Sequence, residues 1–334
     1  MPFGSPRASE VNDMWVRFLL LVAFVGTEAH ATQPPVTIDP AAISNPNQEP
    51  ISTGAKGAAV VRAEILLDRA HFSCGAIDGN FGSNLQKTVT AYQNDRHLAA
   101  TGDVDAATWT SLNGDQAPLL IPYTITDDDE KGPFVQIPKD MMKQAELPAM
   151  GYTSALQELA ERFHASPDLM QALNPGADFN KAGQQLTVPN ATTMPPGRAA
   201  AIYVSKSESS VRAVGPDGKL LAFYVATIGS DHDPLPVGNW KVQWIKRDPV
   251  FHYDSSLFWD AKKPQQKADI KPGPNNPVGV VWIDLSKEHY GIHGTPDPSL
   301  VGHATSHGCI RLTNWDASEL ANMVKPGTPA ILQE

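Results

Sequence analysis

Residues 290–312 read YGIHGTPDPSLVGHATSHGCIRL and hold one of the two cysteines of the chain, Cys309, in a Ser-His-Gly-Cys run. A His-Gly-Thr triplet begins upstream at His293. A free thiol has a pKa of about 8.5, so only a small fraction is nucleophilic thiolate near neutral pH. A neighbouring imidazole can take the thiol proton and later return it to a leaving amine. The stretch therefore predicts Cys309 as a nucleophile and His293 as its general base.

Several neighbours of the thiol are candidates for further parts of a site. Gly308 lets backbone amides approach a carbonyl under attack, so the amides around it are a candidate oxyanion hole. His307 either assists the thiol or hydrogen-bonds a loop. Arg311 either binds a substrate carboxylate through two parallel hydrogen bonds or braces the loop. Ser306 and Tyr290 are candidates for substrate contact, with fixing the turn and forming the cleft wall as their alternatives.

Two other interpretations of the cysteine compete with the nucleophile. A lone cysteine is most often a small buried apolar residue, but Cys309 lies among Gly, Ser, His and Arg. Zinc is the sharper alternative, because His289 and His293 are spaced like helical metal ligands, and so are His303 and His307. Glycines and prolines break any helix here, and the same spacing along a strand spans roughly 13 Å. We therefore expect no metal ion, and no other cofactor.

The order of the motifs resembles a known active-site signature. His-Gly-Thr from His293, a short loop, and Ser-His-Gly-Cys-Ile-Arg around Cys309 are similar to the motifs of L,D-transpeptidases, which have a YkuD-type catalytic domain. The histidine precedes the cysteine here, whereas papain-like and NlpC-type cysteine peptidases place the cysteine first. Both motifs in this order are far more specific than a bare Cys/His pair.

The resemblance implies a substrate and a mechanism. Cys309 attacks the peptide carbonyl between the third residue of a peptidoglycan stem tetrapeptide, a diamino acid, and terminal D-alanine. His293 takes the thiol proton and passes it to the departing D-alanine, while the backbone carbonyl of Gly294 orients the imidazole. The thioester then meets an amine of a second stem, of a lipoprotein lysine or of a free D-amino acid. Water as acceptor would make an L,D-carboxypeptidase, and a non-catalytic wall-binding protein is the third alternative.

Composition limits the class of protein. At 334 residues, 19% of them charged and 41% hydrophobic, the chain is long enough for several globular domains. A net charge of −10 offers no basic stripe that could neutralise phosphates, which argues against nucleic-acid binding. Two cysteines are too few for a disulfide framework, so both are predicted to be free thiols.

Residues 1–31 predict an export signal. Arg17 precedes an apolar run over 18–25, and Ala-His-Ala ending at Ala31 offers a small-x-small cleavage site. The run is much shorter than the roughly 20 residues that cross a bilayer, so we expect no permanent membrane span; a buried helix or strand is the alternative. Export implies the periplasm or cell envelope. Residues 32–53, rich in Pro, Thr and Asn, are predicted to be a flexible tether.

Residues 54–113 predict a compact three-helix unit. Three stretches carry apolar residues at helical spacing, Ser83 is expected to cap the second helix, and Cys74 is expected in the core. The loops Gly-Ala-Ile-Asp-Gly-Asn-Phe-Gly and Thr-Gly-Asp-Val-Asp resemble turns of the three-helix peptidoglycan-binding domain; a generic helical bundle is the alternative. The acidic, proline-containing segment 114–148 is predicted to be a linker.

Residues 150–190 predict a strand–helix–helix–strand unit. Thr153 or Ser154 is expected to cap its first helix and Ser166 the second, and 185–188 is a short strand. With its Leu-Asn-Pro and closing Val-Pro the unit resembles a LysM domain, which implies binding of glycan strands. An α/β spacer without a ligand is the alternative.

Residues 199–333 predict a mainly-β domain. Short runs rich in Val, Ile and aromatic residues alternate with turn residues, and one helix is expected over 315–324. This succession predicts a β-sandwich or barrel-like fold, and the resemblance to the L,D-transpeptidase catalytic domain covers the whole segment. The chain is therefore predicted to be multidomain, with a three-helix peptidoglycan-binding domain, a βααβ LysM-like domain and this catalytic domain. Its expected partners are peptidoglycan stem peptides and glycan strands.

Overall fold

The computed structural model describes residues 38–257, 266–306 and 308–334. The predicted export signal over 1–31, the first part of the predicted tether, and His307 lie outside these residues. Among the helices of the described ranges, none is long and apolar enough to cross a membrane.

The described ranges form nine α-helices and fourteen β-strands. The helices are α1 (Pro40–Ser44), α2 (Ala58–Arg69), α3 (Ser83–Asp95), α4 (Ala106–Leu112), α5 (Asp127–Lys131), α6 (Met141–Ala145), α7 (Ala155–Arg162), α8 (Pro167–Leu173) and α9 (Asn314–Met323). The strands are β1 (Phe72–Ser73), β2 (Leu120–Thr124), β3 (Gln185–Pro189), β4 (Ala201–Ser205), β5 (Ser210–Val214), β6 (Leu220–Val225), β7 (Thr227–Ile228), β8 (Gly238–Arg247), β9 (Phe251–Asp254), β10 (Lys267–Ile270), β11 (Val281–Leu285), β12 (Gly291–His293), β13 (Ile310–Arg311) and β14 (Pro329–Gln333).

Helices α2, α3 and α4 form the predicted three-helix unit. Their apolar faces share a buried core, in which Cys74 is a free thiol, as predicted. The start of α3 differs from the prediction, because Gly82 is the N-cap and makes no side-chain cap bond. Ser83 is already the first helical residue, so it lies one position past the site from which a side chain can cap.

The strand–helix–helix–strand unit consists of β2, α7, α8 and β3, and we call it the βααβ unit. Ser154 and Ser166 cap its helices, as predicted. Its opening strand is β2, which pairs antiparallel with β3 and lies in the segment 114–148 that was predicted to be a linker. That segment also contains α5 and α6 and is therefore more structured than its composition suggested.

Two local features explain the structure in 114–148. Pro122 is tolerated in β2 because this strand forms a two-stranded sheet and has only one neighbour. The acidic run starts α5 with a capping box between Thr126 and Asp129. Asp129 is buried, and its carboxylate also accepts hydrogen bonds from Tyr123 and from Arg162 of α7. The charges thus dock this segment onto the βααβ unit.

The catalytic segment folds as a curled sheet with the strand order β1-β6-β5-β4-β14-β8-β11-β12-β13-β7. The first half of β8 pairs with β14 and its second half with β11, so this long strand bends the sheet. Strands β6 and β7 are separated by Ala226 alone, yet β7 is the last strand of the order and β6 is the second, next to the short β1. The sheet therefore curls round until one piece of chain serves both ends, and α9 packs against β11 and β12.

The N-terminal units are packed onto the catalytic segment. Strand β1 of the three-helix unit pairs in parallel with β6, and Ser73 donates to a buried Asp316 carboxylate of α9 at 3.0 Å. One apolar core joins buried side chains of residues 43–191 to Phe223, Val225 and Val301. A second core lies within 199–332. The three-helix unit, the βααβ unit and the catalytic sheet thus share buried surface.

Candidate active site

Two neighbouring rows of side chains run across the strands around the candidate nucleophile. One row is Ile283, Ile292, Ile310 and Ile228. The adjacent row is Trp282, His293, Arg311 and Thr227. Because successive side chains of a strand point to opposite faces, the isoleucines pack into the second apolar core while His293 and Arg311 lie on the other side of the sheet.

Cys309 directly precedes β13, two residues before Arg311, so its side chain leaves on the same side as Arg311 and His293. Its Sγ lies 3.8 Å from the carbonyl oxygen of His289, and the backbone of Gly291 hydrogen-bonds the thiol. The thiol is half-buried, whereas His293 is 3% exposed. The fold thus brings the predicted nucleophile, the predicted base and an arginine together.

The imidazole of His293 is held in one orientation. Its Nδ1 lies 2.6 Å from the carbonyl oxygen of Gly294 and donates to it. A carbonyl only accepts, so in the neutral ring Nδ1 carries the proton and Nε2 is the acceptor. The ring also stacks on Trp282, with centroids 5.3 Å apart and planes at 13°. Gly294 makes the contact proposed for it from the sequence, and Nε2 has the form that a base requires.

Burial and a neighbouring charge set the protonation of the pair. Burial, followed by the positive charge of Arg311, lowers the pKa of His293 to about 3. Burial raises the pKa of the Cys309 thiol. The backbone of Gly291 and the Arg311 charge partly oppose that rise, and Asp284 adds to it. Near neutral pH the resting pair is therefore a thiol and a neutral imidazole, which is the starting state for general-base activation.

Gly308 and Tyr290 form one packed contact. The backbone of Gly308 has φ +98°, a left-handed conformation that favours glycine. A Cβ on this residue would lie 2.8 Å from Cε1 of Tyr290. The tyrosine ring therefore lies against the peptide that leads into Cys309, so Tyr290 forms the wall behind the loop.

Ser306 is buried and bonds within the loop. Its Oγ donates to the carbonyl oxygen of Cys309 at 2.6 Å, and its amide donates to the carbonyl of Gly229 at 3.0 Å. Of the two roles that the sequence left open, these contacts favour fixing the turn. His307 lies outside the described residues, so its role stays a prediction.

Arg311 is the cation of the site. It is half-buried beside His293 and Cys309, and burial lowers its pKa. Its Nε is fully buried and has no hydrogen-bond partner among the described residues. The positive charge of Arg311 therefore acts on both His293 and Cys309.

The loop between the two motifs touches the three-helix unit. Asn84 of α3 donates through Nδ2 to the carbonyl of Val301 at 2.8 Å. A cleft of about 450 Å³ opens beside this contact, with Pro298 and His303 of the loop on one side and Asp78 of the three-helix unit on the other. The loop that joins the candidate base to the candidate nucleophile is thus anchored outside the catalytic sheet.

Asn314, at the start of α9, supports the site and is not indicated by either motif. It is 2% exposed, and its Oδ1 accepts from the amide of Val280 at 3.2 Å. The same oxygen fills the space against Gly279 and Gly294. The only signal in the sequence is a polar residue shortly after the cysteine motif, because three distant segments meet here only in the fold.

The histidines around the motifs do not gather with other ligands. Across 38–257, 266–306 and 308–334, no group of three His, Cys, Asp or Glu side chains is placed to hold a metal ion. His289 is exposed and lies next to Glu288. His307, the second member of the other spaced pair, lies outside the described residues.

Comparison with known proteins assigns the family. The chain is 31% identical over 178 residues to "Putative L,D-transpeptidase YkuD" of Bacillus licheniformis, a match that covers 52% of this chain and 90% of that protein. The chain belongs to the L,D-transpeptidase family. Within this L,D-transpeptidase, residues 199–332 match the family described as "L,D-transpeptidase catalytic domain" and residues 56–112 match "Putative peptidoglycan binding domain". Both resemblances are confirmed for these segments.

Other relatives carry the same family name. "Probable L,D-transpeptidase ErfK/SrfK" of Escherichia coli is 30% identical over 182 residues, which cover 53% of this chain and 58% of that protein. A crystal structure of an L,D-transpeptidase from Xylanimonas cellulosilytica aligns at 14% identity with a TM-score of 0.38, covering 86% of this chain and 99% of that one. The protein is an L,D-transpeptidase with a cell-wall transpeptidase function, as predicted.

Proposed function

We propose that this L,D-transpeptidase is an exported cysteine acyltransferase that cleaves the bond between the diamino acid and D-alanine of a stem tetrapeptide. The observation that carries the proposal is the placement of His293 and Cys309 on one side of the sheet, as the strand register gives it. His293 Nδ1 also lies 2.6 Å from the carbonyl oxygen of Gly294, which leaves Nε2 as the acceptor of the neutral ring.

The reaction proceeds in two acyl transfers. His293 takes the proton of Cys309 as Sγ attacks the carbonyl, and a tetrahedral oxyanion forms. The peptide C–N bond then breaks, and His293 gives the proton to the departing D-alanine amine. An acceptor amine next attacks the thioester, loses a proton to His293 and leaves a new amide while the thiol is regenerated. The thioester retains the energy of the cleaved bond, so no nucleotide is needed.

The other residues of the site bind and orient the substrate. The backbone amides around Gly308 hold the oxyanion, because backbone N–H groups can donate to the negative charge that develops there. Arg311 pairs with a substrate carboxylate through its guanidinium, which is half-buried near His293 and Cys309. The positive charge also stabilises negative charge on sulfur and on the oxyanion.

The N-terminal units hold the enzyme on the wall. The family match of 56–112 supports peptidoglycan binding by the three-helix unit, and we extend this to glycan binding by the LysM-like βααβ unit. Weak binding beside the active site raises the local concentration of stem peptides without changing the chemistry. The proposed site of action is the periplasm or cell envelope, reached through the signal over 1–31.

The test uses the mature protein and a purified disaccharide-tetrapeptide, with mass spectrometry of the products. Wild type is expected to release D-alanine and form a cross-linked dimer, and Cys309→Ala is expected to form neither. Cys74→Ala is the matched control, because it removes the other, buried thiol and should keep the activity. Tripeptide without dimer would replace the transferase with an L,D-carboxypeptidase or point to a lipoprotein acceptor. A fully active Cys309→Ala would overturn the proposal.

A further inference from the structure

Glu161, the second-last residue of α7 in the βααβ unit, points its carboxylate at the catalytic domain. Its oxygens accept from Nδ2 of Asn314 at 3.1 and 3.2 Å, and Oε1 accepts from the Tyr152 hydroxyl at 3.2 Å. Among the described residues no lysine or arginine forms a salt bridge with it, and the adjacent Arg162 pairs with Asp129 and Glu158 instead. The carboxylate of Glu161 therefore binds the Asn314 amide and is not used in a salt bridge with a lysine or arginine of the described residues.

The carboxylate fixes which way the Asn314 amide points. Nδ2 donates to Glu161 and to the carbonyl of Pro274 at 3.1 Å, while Oδ1 accepts from the Val280 amide at 3.2 Å. A flipped amide would place its oxygen against a carboxylate and its NH₂ against an N–H donor, and both contacts repel. Glu161 thus selects the orientation in which Oδ1 faces the backbone of the site.

That oxygen packs against Gly294, the residue whose carbonyl binds His293. A Cβ on Gly294 would lie 2.2 Å from Asn314 Oδ1, and one on Gly279 would lie 2.0 Å from it. The Asn314 side chain is therefore in close contact with both glycines. Gly294 is the residue whose carbonyl accepts the His293 Nδ1 proton at 2.6 Å. A continuous set of contacts runs from the carboxylate through the amide to the carbonyl and the imidazole.

We propose that Glu161 is a positioning residue for the general base, acting through Asn314 and the Gly294 carbonyl on His293. The βααβ unit is then part of the active-site scaffold, in addition to any role in glycan binding. The inference rests on the proposed role of His293 as base, and it assigns a function in catalysis to a residue outside the catalytic domain.

The charge of Glu161 gives the contact a pH dependence. Burial raises its pKa to about 7, opposed by the bonds from Asn314 and Tyr152 and by nearby His164. Glu158 and Arg162 are the other charged groups that act on this cluster, through Tyr152. Above this pKa the carboxylate only accepts, and its bond to the amide is charge-assisted. Below it, one oxygen becomes a donor and the amide is held less firmly.

The experiment reads the thiol directly and needs no peptidoglycan. Full mature protein is alkylated with iodoacetamide from about pH 5 to about pH 9, and modification of Cys309 is followed by peptide mass. Glu161→Ala is expected to slow alkylation roughly tenfold near neutral pH, the scale of a weakened general base. Glu161→Gln keeps an acceptor for the amide, so it should restore the rate but lack the inflection near pH 7 that is expected of wild type.

Two variants separate positioning from folding and from the proposed mechanism. Gln157→Ala lies on the same helix and loses a bond to Asn275 without touching Asn314, so its profile should match wild type. His293→Ala reports on the base itself. If His293→Ala slows alkylation and folded Glu161→Ala does not, the inference fails and the proposed function stands; if His293→Ala has no effect, both fail.

A variant that does not fold leaves the test intact. Should Glu161→Ala be unfolded by circular dichroism, the pH profile of folded Glu161→Gln decides. Loss of the inflection near pH 7 supports the positioning role. If Glu161→Gln retains the inflection, or if Gln157→Ala slows alkylation as much as the Glu161 variants do, the positioning role is overturned.

Discussion

The surroundings of His293 shift the pKa of its imidazole far below the value of a free histidine. A histidine titrates at about 6.5 when it is unperturbed, but burial and then Arg311 lower the pKa of His293 to about 3. Between these values the unfolded chain binds a proton that the folded chain does not, so this group lowers stability as pH falls from about 6.5 towards 3. The folded protein thus loses some stability in acid and keeps the His293 imidazole neutral near neutral pH.

The same protonation state has a consequence for catalysis. Taking the thiol proton creates an imidazolium beside the Arg311 cation, in a place that disfavours it. In the proposed mechanism this acid form readily gives its proton to the leaving amine, which is the step that breaks the peptide bond. Arg311 also opposes the rise that burial causes in the pKa of Cys309, so one cation favours both the thiolate of Cys309 and the neutral form of His293.

Gly308→Ala tests the turn that carries the nucleophile. We expect a loss of about 1–2 kcal/mol from the left-handed backbone and a further loss from the clash with Tyr290. Gly327→Ala is the matched control, because Gly327 has φ +90° and nothing within 4 Å of the added Cβ. Thermal unfolding and alkylation of Cys309 are measured for both. If Gly308→Ala and Gly327→Ala lost the same stability, and Gly308→Ala kept the wild-type alkylation rate, the contact between Gly308 and Tyr290 would not restrain the turn.

Among the secondary-structure elements, helix caps, which depend on a few neighbouring residues, were predictable from the sequence. A strand that depends on a partner far away in the chain was not. Ser154 and Ser166 cap α7 and α8 because a cap needs only the following turn. Strand β2 was missed because Pro122 interrupts its pattern and its partner, β3, lies beyond two helices in the chain. The two motifs and their order indicated Cys309 and His293 from the sequence alone. Strand alternation in β12 and β13 then places both side chains on the same side of the sheet.

The support of the site could not be predicted in the same way. Asn314 and Glu161 lie on different helices, and neither is near His293 in the sequence. Their contact depends on how the βααβ unit docks against α9, which follows from many weak nonlocal interactions. A motif identifies reacting groups, whereas the residues that hold them are visible only after the elements have been placed.

The loop between the motifs gives a prediction at this scale. Asn84→Ala removes the bond to Val301 and leaves that carbonyl unpaired, a loss of about 1 kcal/mol. We expect faster hydrogen exchange over 296–305, measured by mass spectrometry, with the rest of the sheet unchanged. Asn94→Ala, an exposed asparagine on the same helix, is the control. Unchanged exchange in the loop would show that α3 does not restrain it.

The three-helix unit and the βααβ unit are packed against the catalytic sheet, whereas the sequence suggested separate domains joined by linkers. The core of the N-terminal units includes Phe223 and Val225, which belong to β6 of the catalytic sheet. Both are almost completely inaccessible, with exposures of 1% and 0%. Side chains of one strand therefore fill two cores, since alternate residues such as Tyr224 face the core within the catalytic segment. The catalytic sheet is thus completed by its neighbours.

This arrangement predicts the behaviour of the catalytic segment alone. A chain of residues 199–334 would expose Phe223 and Val225 to water and would lack Glu161, so we expect aggregation and slow alkylation of Cys309. Replacing both apolar residues with threonine separates the two effects, because threonine suits a strand surface. The substituted fragment should become soluble by light scattering while its alkylation stays slow. A soluble fragment that reacts at the full-length rate would show that the N-terminal units add binding surface alone, and that the geometry at His293 is set within the catalytic sheet.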